Sequence, residues 1–325
     1  MGGQGFSPRV CLKSCNCDPR RASLNPAQNS SSTPSMPKRQ HIVLTGATGF
    51  IGGNLARRLL ENGHSVEAIV RPESPRRAQL SRDVEVAAIS LHARDSQLSH
   101  ILSRADAIIH VAGAVRGAHP NDFHGANVDA IHALVEAIAS IANPPPLLML
   151  SSLAASQPEL SDYAASKRKG ETVLMESEGI PWTIFRPPAV YGPGDREMRP
   201  LFQIIRRGWA PVIGPKGQKI ALLHVDDLAD AIGSWLDITE IPHGKTLELH
   251  DGHTNGGYTI DEILECVRPG KKVIQLRLPF LFLHCVARIS RSAGQLSGRP
   301  PMFTPGKLRE LRHPKWEVDN TEITR

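Results

Sequence analysis

The chain has 325 residues, a hydrophobic content of 40% and a formal net charge of +6. This length and content suffice for one large domain with a core, or for two small domains. The charge is uneven, because residues 1–40 carry six Lys or Arg side chains and one Asp, a net +5, and the rest carries +1. The basic character therefore belongs to the tail and gives no support to nucleic-acid binding by the folded part.

Residues 1–38 are rich in Ser, Pro, Asn and Gly without periodicity, so we expect a disordered N-terminal extension. The extension lacks the apolar core of a secretory signal, while a transit peptide and a natural start at Met36 both stay open. The odd number of cysteines indicates a reducing compartment and a cytoplasmic protein. No metal site is expected, because Cys11, Cys15 and Cys17 lie in the extension without a fourth ligand, and no apolar run is long enough to span a membrane.

The first predicted element is a strand at residues 42–44, which leads into the pattern Gly46-x-x-Gly49-x-x-Gly52. A helix-compatible stretch follows at residues 54–61. A strand, a glycine turn and a helix start together form a cradle for a pyrophosphate, because the N–H groups and dipole of the helix N-terminus favour negative charge. Glycine permits a close backbone approach that a Cβ would block.

Short β-rich runs alternate with helical stretches from residue 41 to residue 190, which predicts an α/β fold. We expect a Rossmann-type doubly wound parallel sheet with a smaller C-terminal substrate-binding region. The further predicted strands lie at residues 66–70, 84–89, 107–111, 147–150 and 182–185. The further predicted helices lie at residues 127–142 and 164–178. Ligands bind at the carboxyl ends of the strands in such sheets.

The residue after the second predicted strand bears on the choice of dinucleotide. An acidic residue there would hydrogen-bond the adenosine ribose and favour NAD, but this chain has Arg71, with Arg76 and Arg77 close behind. A guanidinium group pairs well with a phosphate, so NADP(H) is favoured through Arg71, and NAD(H) stays open. A solvated basic face is an equally good interpretation of Arg76 and Arg77.

A serine pair and a Tyr–Lys pair follow the fifth predicted strand. Ser151 and Ser152 close that strand, and Tyr163 and Lys167 lie four residues apart, on one face of the next predicted helix. A phenol with a pKa of about 10 is a poor base at neutral pH. A neighbouring ammonium group stabilises the phenolate and lowers that pKa. The Tyr–Lys spacing alone also fits an ordinary pair on a helix surface. The Tyr–Lys pair indicates a catalytic site because the serine pair and the glycine turn accompany it.

Several polar residues are predicted at helix starts. Asn127 begins a predicted helix and fits a cap. Asp226 or Asp227 is expected to cap the helix that is predicted after them. Ser161 or Asp162 is expected to cap the helix that carries the Tyr–Lys pair.

The motifs together identify a family resemblance. In chain order they are Thr45-Gly-Ala-Thr-Gly-Phe-Ile-Gly52, His110-Val-Ala-Gly113, Asn127, Ser151-Ser152, Tyr163-x-x-x-Lys167, Arg186-Pro-Pro-Ala-Val-Tyr-Gly-Pro193 and His224-Val-Asp-Asp227. From residue 39 to residue 320 the chain resembles an extended short-chain dehydrogenase/reductase of the nucleotide-sugar epimerase/dehydratase and 3β-hydroxysteroid dehydrogenase type. The order and spacing of the motifs are specific for that superfamily, but not for a substrate.

The resemblance implies the roles of the site residues. Tyr163 is the acid/base, Lys167 lowers its pKa and holds the nicotinamide ribose, and Ser152 binds the substrate oxygen during hydride transfer. Ser151 is the rival of Ser152 for that role. Asn127 is implied to prop the central strands near the cofactor. The implied cofactor-binding residues are Gly46, Thr48, Gly49, Phe50, Ile51, Gly52, Arg71, His110, Ala112, Gly113, Tyr163, Lys167 and Pro187.

We expect three regions, namely the extension 1–38, a dinucleotide-binding domain 39–194 with the catalytic residues, and a mainly substrate-binding region 195–325. The family pattern also leads us to expect a shortened C-terminal end. Residues 278–316 combine an apolar run with seven Lys or Arg and one Glu. Such a segment fits peripheral contact with an anionic membrane or a cover over a lipid-like ligand, but a core or dimer helix with a solvated basic flank is favoured.

The predicted activity is hydride transfer between NAD(P)(H) and a hydroxyl or carbonyl group of a small substrate. A hydrophobic, steroid-like or isoprenoid-like substrate is favoured. One alternative is a nucleotide-sugar epimerase or dehydratase that recycles its cofactor. A second alternative, a non-catalytic dinucleotide-binding or redox-sensing subunit, conflicts with the intact Ser–Tyr–Lys set. The expected partners are a small-molecule substrate and no nucleic acid, with a homodimer left open.

Overall fold

The computed structural model describes residues 39–91, 96–238, 243–253 and 255–323. The predicted extension and its three cysteines lie outside these ranges. The strands are β1 (His41–Thr45), β2 (Ser65–Val70), β3 (Glu85–Ala88), β4 (Ala107–His110), β5 (Leu147–Leu150), β6 (Trp182–Arg186), β7 (Ala189–Tyr191), β8 (Trp209–Val212), β9 (Lys219–Ile220), β10 (Leu222–His224), β11 (Lys245–Glu248), β12 (Tyr258–Thr259), β13 (Ile274–Arg277) and β14 (Lys315–Trp316).

A π turn (Gly125–Asp129) joins the third helix to the fourth. The helices are α1 (Phe50–Glu61), α2 (Ser96–Ser103), α3 (Asn121–His124), α4 (Ala130–Ala139), α5 (Asp162–Met175), α6 (Arg199–Arg206), α7 (Val225–Asp237), α8 (Ile260–Val267), α9 (Phe280–Ser297) and α10 (Pro305–Arg312). Within the part of the chain that the structure describes, no helix is long and apolar enough to cross a bilayer.

Seven parallel strands form the main sheet, in the order β11-β6-β5-β4-β1-β2-β3. The chain moves outward from β1 to β3 and then returns to place β4 on the other side of β1. The strand order therefore reverses between β1 and β4, where a doubly wound sheet binds its ligand at the carboxyl ends of the strands. The predicted doubly wound parallel sheet is confirmed.

The core lies in two layers, one on each face of this sheet. In β1 the side chains of Ile42 and Leu44 pack on one face with α1 and α7, and Val43 packs on the other face with α2, α4 and α5. This alternation follows from the two-residue period of a strand. All three side chains are fully buried, because helices cover both faces of the sheet.

The region after residue 195 contributes both to the main sheet and to three small sheets beside it. Strand β11 pairs with β6 at the edge of the main sheet, and α7 packs on α1. The remaining elements form three small sheets, in which β7 pairs with β10, β8 with β13, and β9 with both β12 and β14. These sheets and α6, α8, α9 and α10 stand beside the carboxyl edge of the main sheet. Region 195–325 therefore includes two elements that support the dinucleotide-binding sheet.

Candidate active site

The glycine turn after β1 is packed more tightly than any side chain would permit. Gly46 has a φ of +77°, and a Cβ there would lie 2.5 Å from the backbone nitrogen of Ala112 at the end of β4. A Cβ on Gly52 would lie 2.2 Å from the carbonyl oxygen of Gly46. Glycine thus allows the turn to contact both the neighbouring strand end and its own helix.

Helix α1 starts at this turn with its N-terminus open. Its N-cap, Gly49, has no side chain to cap the helix, and the first turn carries no acidic residue. The first N–H groups of a helix have no intrahelical partner, and they favour an anion together with the helix dipole. The turn and the start of α1 therefore fit the pyrophosphate of a dinucleotide.

Most of the predicted site residues line one cleft, with a volume of about 2230 Å³. Ligand pockets commonly measure about 300–1,000 Å³, so this cleft has room for a dinucleotide and a second ligand. The predicted residues on its wall are Gly46, Thr48, Gly49, Phe50, Ile51, Gly52, Arg71, Ala112, Gly113, Ser152, Tyr163 and Pro187. His110 and Lys167 are buried outside this lining.

Arginine side chains flank the end of the cleft beside β2. Arg71 follows β2 directly, is exposed, and lines the cleft together with Ser74 and Arg76. Arg77 begins a short 3₁₀ turn and does not line the cleft. This end of the cleft therefore offers guanidinium groups to a phosphate.

The side chains of Ser152 and Tyr163 both line the cleft, and the Ser152 hydroxyl is close enough to act on the phenol. Burial raises the pKa of Tyr163 and outweighs the Ser152 hydroxyl, which lowers it. The Ser152 oxygen also accepts a hydrogen bond from the backbone nitrogen of Ala154 at 3.2 Å. The Ser151 hydroxyl is buried, and it has no hydrogen-bond partner among the described residues. Of the two rival serines, Ser152 is the one in contact with the phenol.

Lys167 is almost completely buried, and its Nζ donates a hydrogen bond to the carbonyl oxygen of Leu150 at 2.9 Å. Burial lowers the pKa of Lys167 to about 8, although the carboxylate of Glu171 opposes this shift. The expected lowering of the pKa of Tyr163 by Lys167 is not seen in this structure, because Nζ is held at the end of β5. The positive charge of Lys167 acts on buried His110 instead.

His110 is 1% exposed and lies behind the cleft wall. Its Nδ1 and the Oγ1 of Thr45 are 2.8 Å apart, and that oxygen accepts a hydrogen bond from the backbone nitrogen of Ala112 at 3.2 Å. Burial, together with the charge of Lys167, lowers the pKa of His110 to about 3. A neutral His110 therefore ties β1 to β4 just below the glycine turn.

Asn127 lies within the π turn and not at a helix start, so the cap interpretation of this residue is wrong. Its Oδ1 accepts from the backbone nitrogen of Ala114 at 2.9 Å, and its Nδ2 donates to the carbonyl oxygen of Ala114 at 3.0 Å and to the Ser166 hydroxyl at 2.9 Å. A π turn inserts one residue into a helix and is often found at functional sites. Here it lets one amide connect the loop after β4 to helix α5.

Helix α5 carries Tyr163 and Lys167 and is anchored near both ends. The predicted cap is confirmed for Ser161, whose hydroxyl accepts from the backbone nitrogen of Ala164 at 3.0 Å. Toward the other end, Arg186 donates two hydrogen bonds to the fully buried carboxylate of Glu171, at 2.9 and 2.6 Å. A two-pronged Arg–carboxylate pair fixes both partners in one geometry.

The capping expectation for Asp226 and Asp227 is wrong. Helix α7 begins earlier than predicted, so both residues fall in its first turn. The N-cap is His224, whose Nδ1 accepts a hydrogen bond from the backbone nitrogen of Asp226 at 3.2 Å.

Sequence reasoning missed two residues of the site, both on α10. Lys307 and Glu310 line the cleft with Tyr163, and Lys307 Nζ lies 2.8 Å from Glu310 Oε2. The other carboxylate oxygen accepts a hydrogen bond from the Ser161 hydroxyl. Burial lowers the pKa of Lys307, but the Glu310 carboxylate more than offsets it, so the net shift is upward. Glu310 was detectable as the one acidic residue between residues 266 and 316.

The wall of the cleft beyond Tyr163 carries many apolar side chains, with charged residues that include Arg196, Glu197 and Arg299 among them. It comes from the small sheets, α6, α8, α10 and the segment between α9 and α10. Its apolar side chains include Met198, Leu201, Ile205, Val212, Ile213, Ile220, Ile260, Met302, Phe303 and Leu311. No group of His, Cys, Asp and Glu side chains suited to a metal ion occurs among the residues described.

The chain is similar to proteins of one known family. Residues 42–249 match the model of the NAD dependent epimerase/dehydratase family. The ceramide reductase of Caulobacter vibrioides is 32% identical over 277 residues, which cover 85% of this chain and 85% of that protein. A UDP-2-acetamido-2,6-beta-L-arabino-hexul-4-ose reductase from Pseudomonas aeruginosa is 30% identical over 204 residues, covering 60% of this chain and 49% of that protein.

The fold is shared with solved structures. The Bordetella bronchiseptica enzyme WbmH in complex with NAD+ superposes with a TM-score of 0.62 and 18% identity, covering 88% of this chain and 90% of that one. The family match spans the glycine turn, the Ser–Tyr–Lys set and the main sheet. The chain therefore belongs to the NAD dependent epimerase/dehydratase family and is an NAD(P)-dependent oxidoreductase of the extended short-chain dehydrogenase/reductase type.

Proposed function

We propose that this protein is an NADPH-preferring reductase that converts a ketone of a lipid-like molecule to an alcohol. The observation that carries the proposal is the apolar wall next to the Ser152–Tyr163 pair. A wall of aliphatic and aromatic side chains is suited to hydrocarbon. The similarity to a ceramide reductase along 85% of both chains supports a lipid-like substrate.

The dinucleotide is held by the glycine turn and the open N-terminus of α1, which receive its pyrophosphate. Arg71 pairs with the 2′-phosphate, which is the group that distinguishes NADP from NAD. The bound nicotinamide supplies the hydride. The family resemblance assigns Lys167 to the nicotinamide ribose, and its Nζ would have to leave the carbonyl of Leu150 to reach the cleft.

Reduction adds a hydride to the carbonyl carbon and a proton to the carbonyl oxygen. Tyr163 donates that proton, and its raised pKa keeps the phenol protonated at neutral pH. Ser152 donates a hydrogen bond to the same oxygen and stabilises the negative charge that develops on it. Lys307, close enough for its charge to act on Tyr163, stabilises the phenolate that remains after proton transfer.

The test is NADPH consumption with two substrate classes. A long-chain 3-oxo amide in detergent micelles should be reduced with one NADPH oxidised per alcohol formed, and Tyr163→Phe should remove this turnover. A UDP-hexose should not be turned over. Epimerisation of the UDP-hexose without net NADPH oxidation, and no reduction of long-chain ketones, would replace the proposal with the epimerase alternative.

Other expectations from the sequence stay predictions. These are a cytoplasmic location, a homodimer, and membrane contact through residues 278–316. The division at residue 194 also stays a prediction.

A further inference from the structure

Helix α9 carries an apolar face that the protein leaves exposed. Leu281 is 78% exposed, Ile289 68% and Leu296 91%. Phe282 and Val286 are also exposed. Side chains of this size are buried in most helices of a folded domain, and a contiguous exposed group of them marks an interaction site.

The exposed side chains share one face of the helix. At 100° per residue, Leu281, Phe282, Val286, Ile289 and Leu296 fall within an arc of about 140°. We call this set, together with Cys285 and Ala293 between its members, the α9 apolar face. The opposite side of α9 carries the buried residues Leu283, Ala287 and Gly294. Leu283 and Ala287 pack on Leu308 of α10, so the helix is held in place by its other side.

The surroundings of the α9 apolar face are positively charged. Residues 266–309 contain nine Lys or Arg and no Asp or Glu. Arg288 lies on the border of the face, and exposed Arg277 and Arg299 flank the two ends of the helix. A helix with an apolar face and basic borders lies in the interface of an anionic bilayer, where the arginines meet lipid phosphates.

The same charge argues against a second copy of this chain as the occupant. An isologous contact through the α9 apolar face would bring Arg288 of one copy near Arg288 or Arg277 of the other, without an acidic partner in that part of the sequence. Like charges at an interface disfavour association. An anionic lipid surface is complementary both to the apolar side chains of the face and to the positive charge around it.

The buried side of α9, opposite the α9 apolar face, packs beside the cleft. The segment that follows α9 contributes Arg299, Pro300, Met302 and Phe303 to the cleft wall. Gly294 packs so closely on this segment that a Cβ there would lie 2.6 Å from Pro301 Cδ. Helix α9 therefore separates the α9 apolar face from the apolar part of the cleft by the width of one helix.

We propose that the α9 apolar face inserts into the interface of an anionic membrane and sets the cleft beside the bilayer. The docking itself is independent of the reaction. Its use for substrate entry rests on the proposed lipid-like substrate, which would pass from the bilayer to the cleft past residues 299–303.

Binding is tested with the full chain and vesicles in a flotation assay. We expect flotation with vesicles of phosphatidylcholine and phosphatidylglycerol, and weaker flotation with phosphatidylcholine alone or at high salt. The variant Leu281→Glu with Ile289→Glu should lose at least about tenfold in bound fraction, because it places two carboxylates in the face. A matched variant, Met175→Glu with Ile238→Glu, changes two exposed apolar residues elsewhere and should bind like the wild type.

The controls separate docking from folding and from activity. Both variants should keep the thermal midpoint of the wild type and its NADPH affinity. Equal flotation of the wild type and Leu281→Glu with Ile289→Glu, or no flotation of the wild type, would overturn the proposal. A dimer in solution that this variant dissociates would assign the face to a second copy. If docking holds but long-chain ketones are not reduced, the proposed function fails and the membrane surface stands.

Discussion

The Ser161 hydroxyl, which caps the helix that carries Tyr163, donates a hydrogen bond to the carboxylate of Glu310. This contact joins two segments separated by 149 residues. It is reinforced by close packing, because a Cβ on Gly306 would lie 2.8 Å from the Cβ of Ser161. The C-terminal helix α10 thus positions the start of the helix with the Tyr–Lys pair.

The first prediction concerns this contact. Glu310→Ala removes the acceptor of Ser161 and the partner of Lys307, which is about one-third exposed and is thus partly screened. We expect a loss of about 1–3 kcal/mol in the free energy of unfolding, measured by urea denaturation. The matched change Glu317→Ala, at an exposed carboxylate 3.6 Å from Lys219, should alter it by less than about 1 kcal/mol. Equal effects of the two changes would show that Glu310 has no special positioning role.

The second prediction concerns the proton donor. Tyr163→Phe removes the hydroxyl on which Ser152 acts and keeps the ring, whose centroid lies 6.1 Å from that of Phe123. Turnover should fall by about 10²–10⁴-fold, the usual contribution of general acid catalysis. The dissociation constant of NADPH, measured by fluorescence titration, should stay nearly unchanged. A variant with wild-type turnover would remove Tyr163 from the mechanism.

The third prediction concerns the choice of cofactor. Arg71→Ala should weaken NADPH binding by about tenfold or more, because a charge-assisted contact is lost, and should leave NADH binding unchanged. Arg77→Ala is the control, since Arg77 does not line the cleft. Titration calorimetry of both variants with both cofactors measures this difference. An equal loss for NADPH and NADH would mean that Arg71 does not recognise the 2′-phosphate.

The fourth prediction follows from buried His110. Its pKa is about 3 in the folded chain and near 6.5 in the unfolded chain, so the unfolded state binds more protons between these values. The stability contributed by neutral His110 is complete above pH 6.5 and is lost as the pH falls toward 3. Between pH 7 and pH 5 the wild type should lose about 2 kcal/mol relative to His110→Gln, measured by urea denaturation at each pH. A stability difference that is independent of pH would contradict this account.

The parallel sheet and the glycine turn could be predicted because their determinants are local. Apolar runs of four to six residues fix the strands, and the conformation at Gly46 needs a residue without a Cβ. The placement of Tyr163 and Lys167 on one helix follows from their spacing. Contacts between distant parts of the sequence could not be predicted. Glu310 contacts Ser161 across 149 residues, and no local pattern encodes that contact.

For Asn127 and Lys167 the sequence predicted that the residue belongs to the site, but it could not predict the hydrogen-bond partners of the side chain. The π turn that turns Asn127 toward Ala114 and Ser166 is a local departure from the helix that its sequence predicts. The Nζ of Lys167 reaches the carbonyl of Leu150, a backbone acceptor that has no sequence signature. The charges acting on Tyr163 therefore come from Lys307 and Glu310, which side-chain spacing along α5 could not reveal.

The most direct test of the proposed reduction follows a deuterium label. The protein is incubated with NADPH deuterated at the transferable position of C4 and a long-chain 3-oxo amide, and the product is analysed by mass spectrometry. We expect one deuterium on the carbinol carbon and one NADP+ per alcohol, with both formed about 10²–10⁴-fold more slowly by Tyr163→Phe. An unlabelled product, or turnover of a UDP-hexose with no net NADP+, would contradict it.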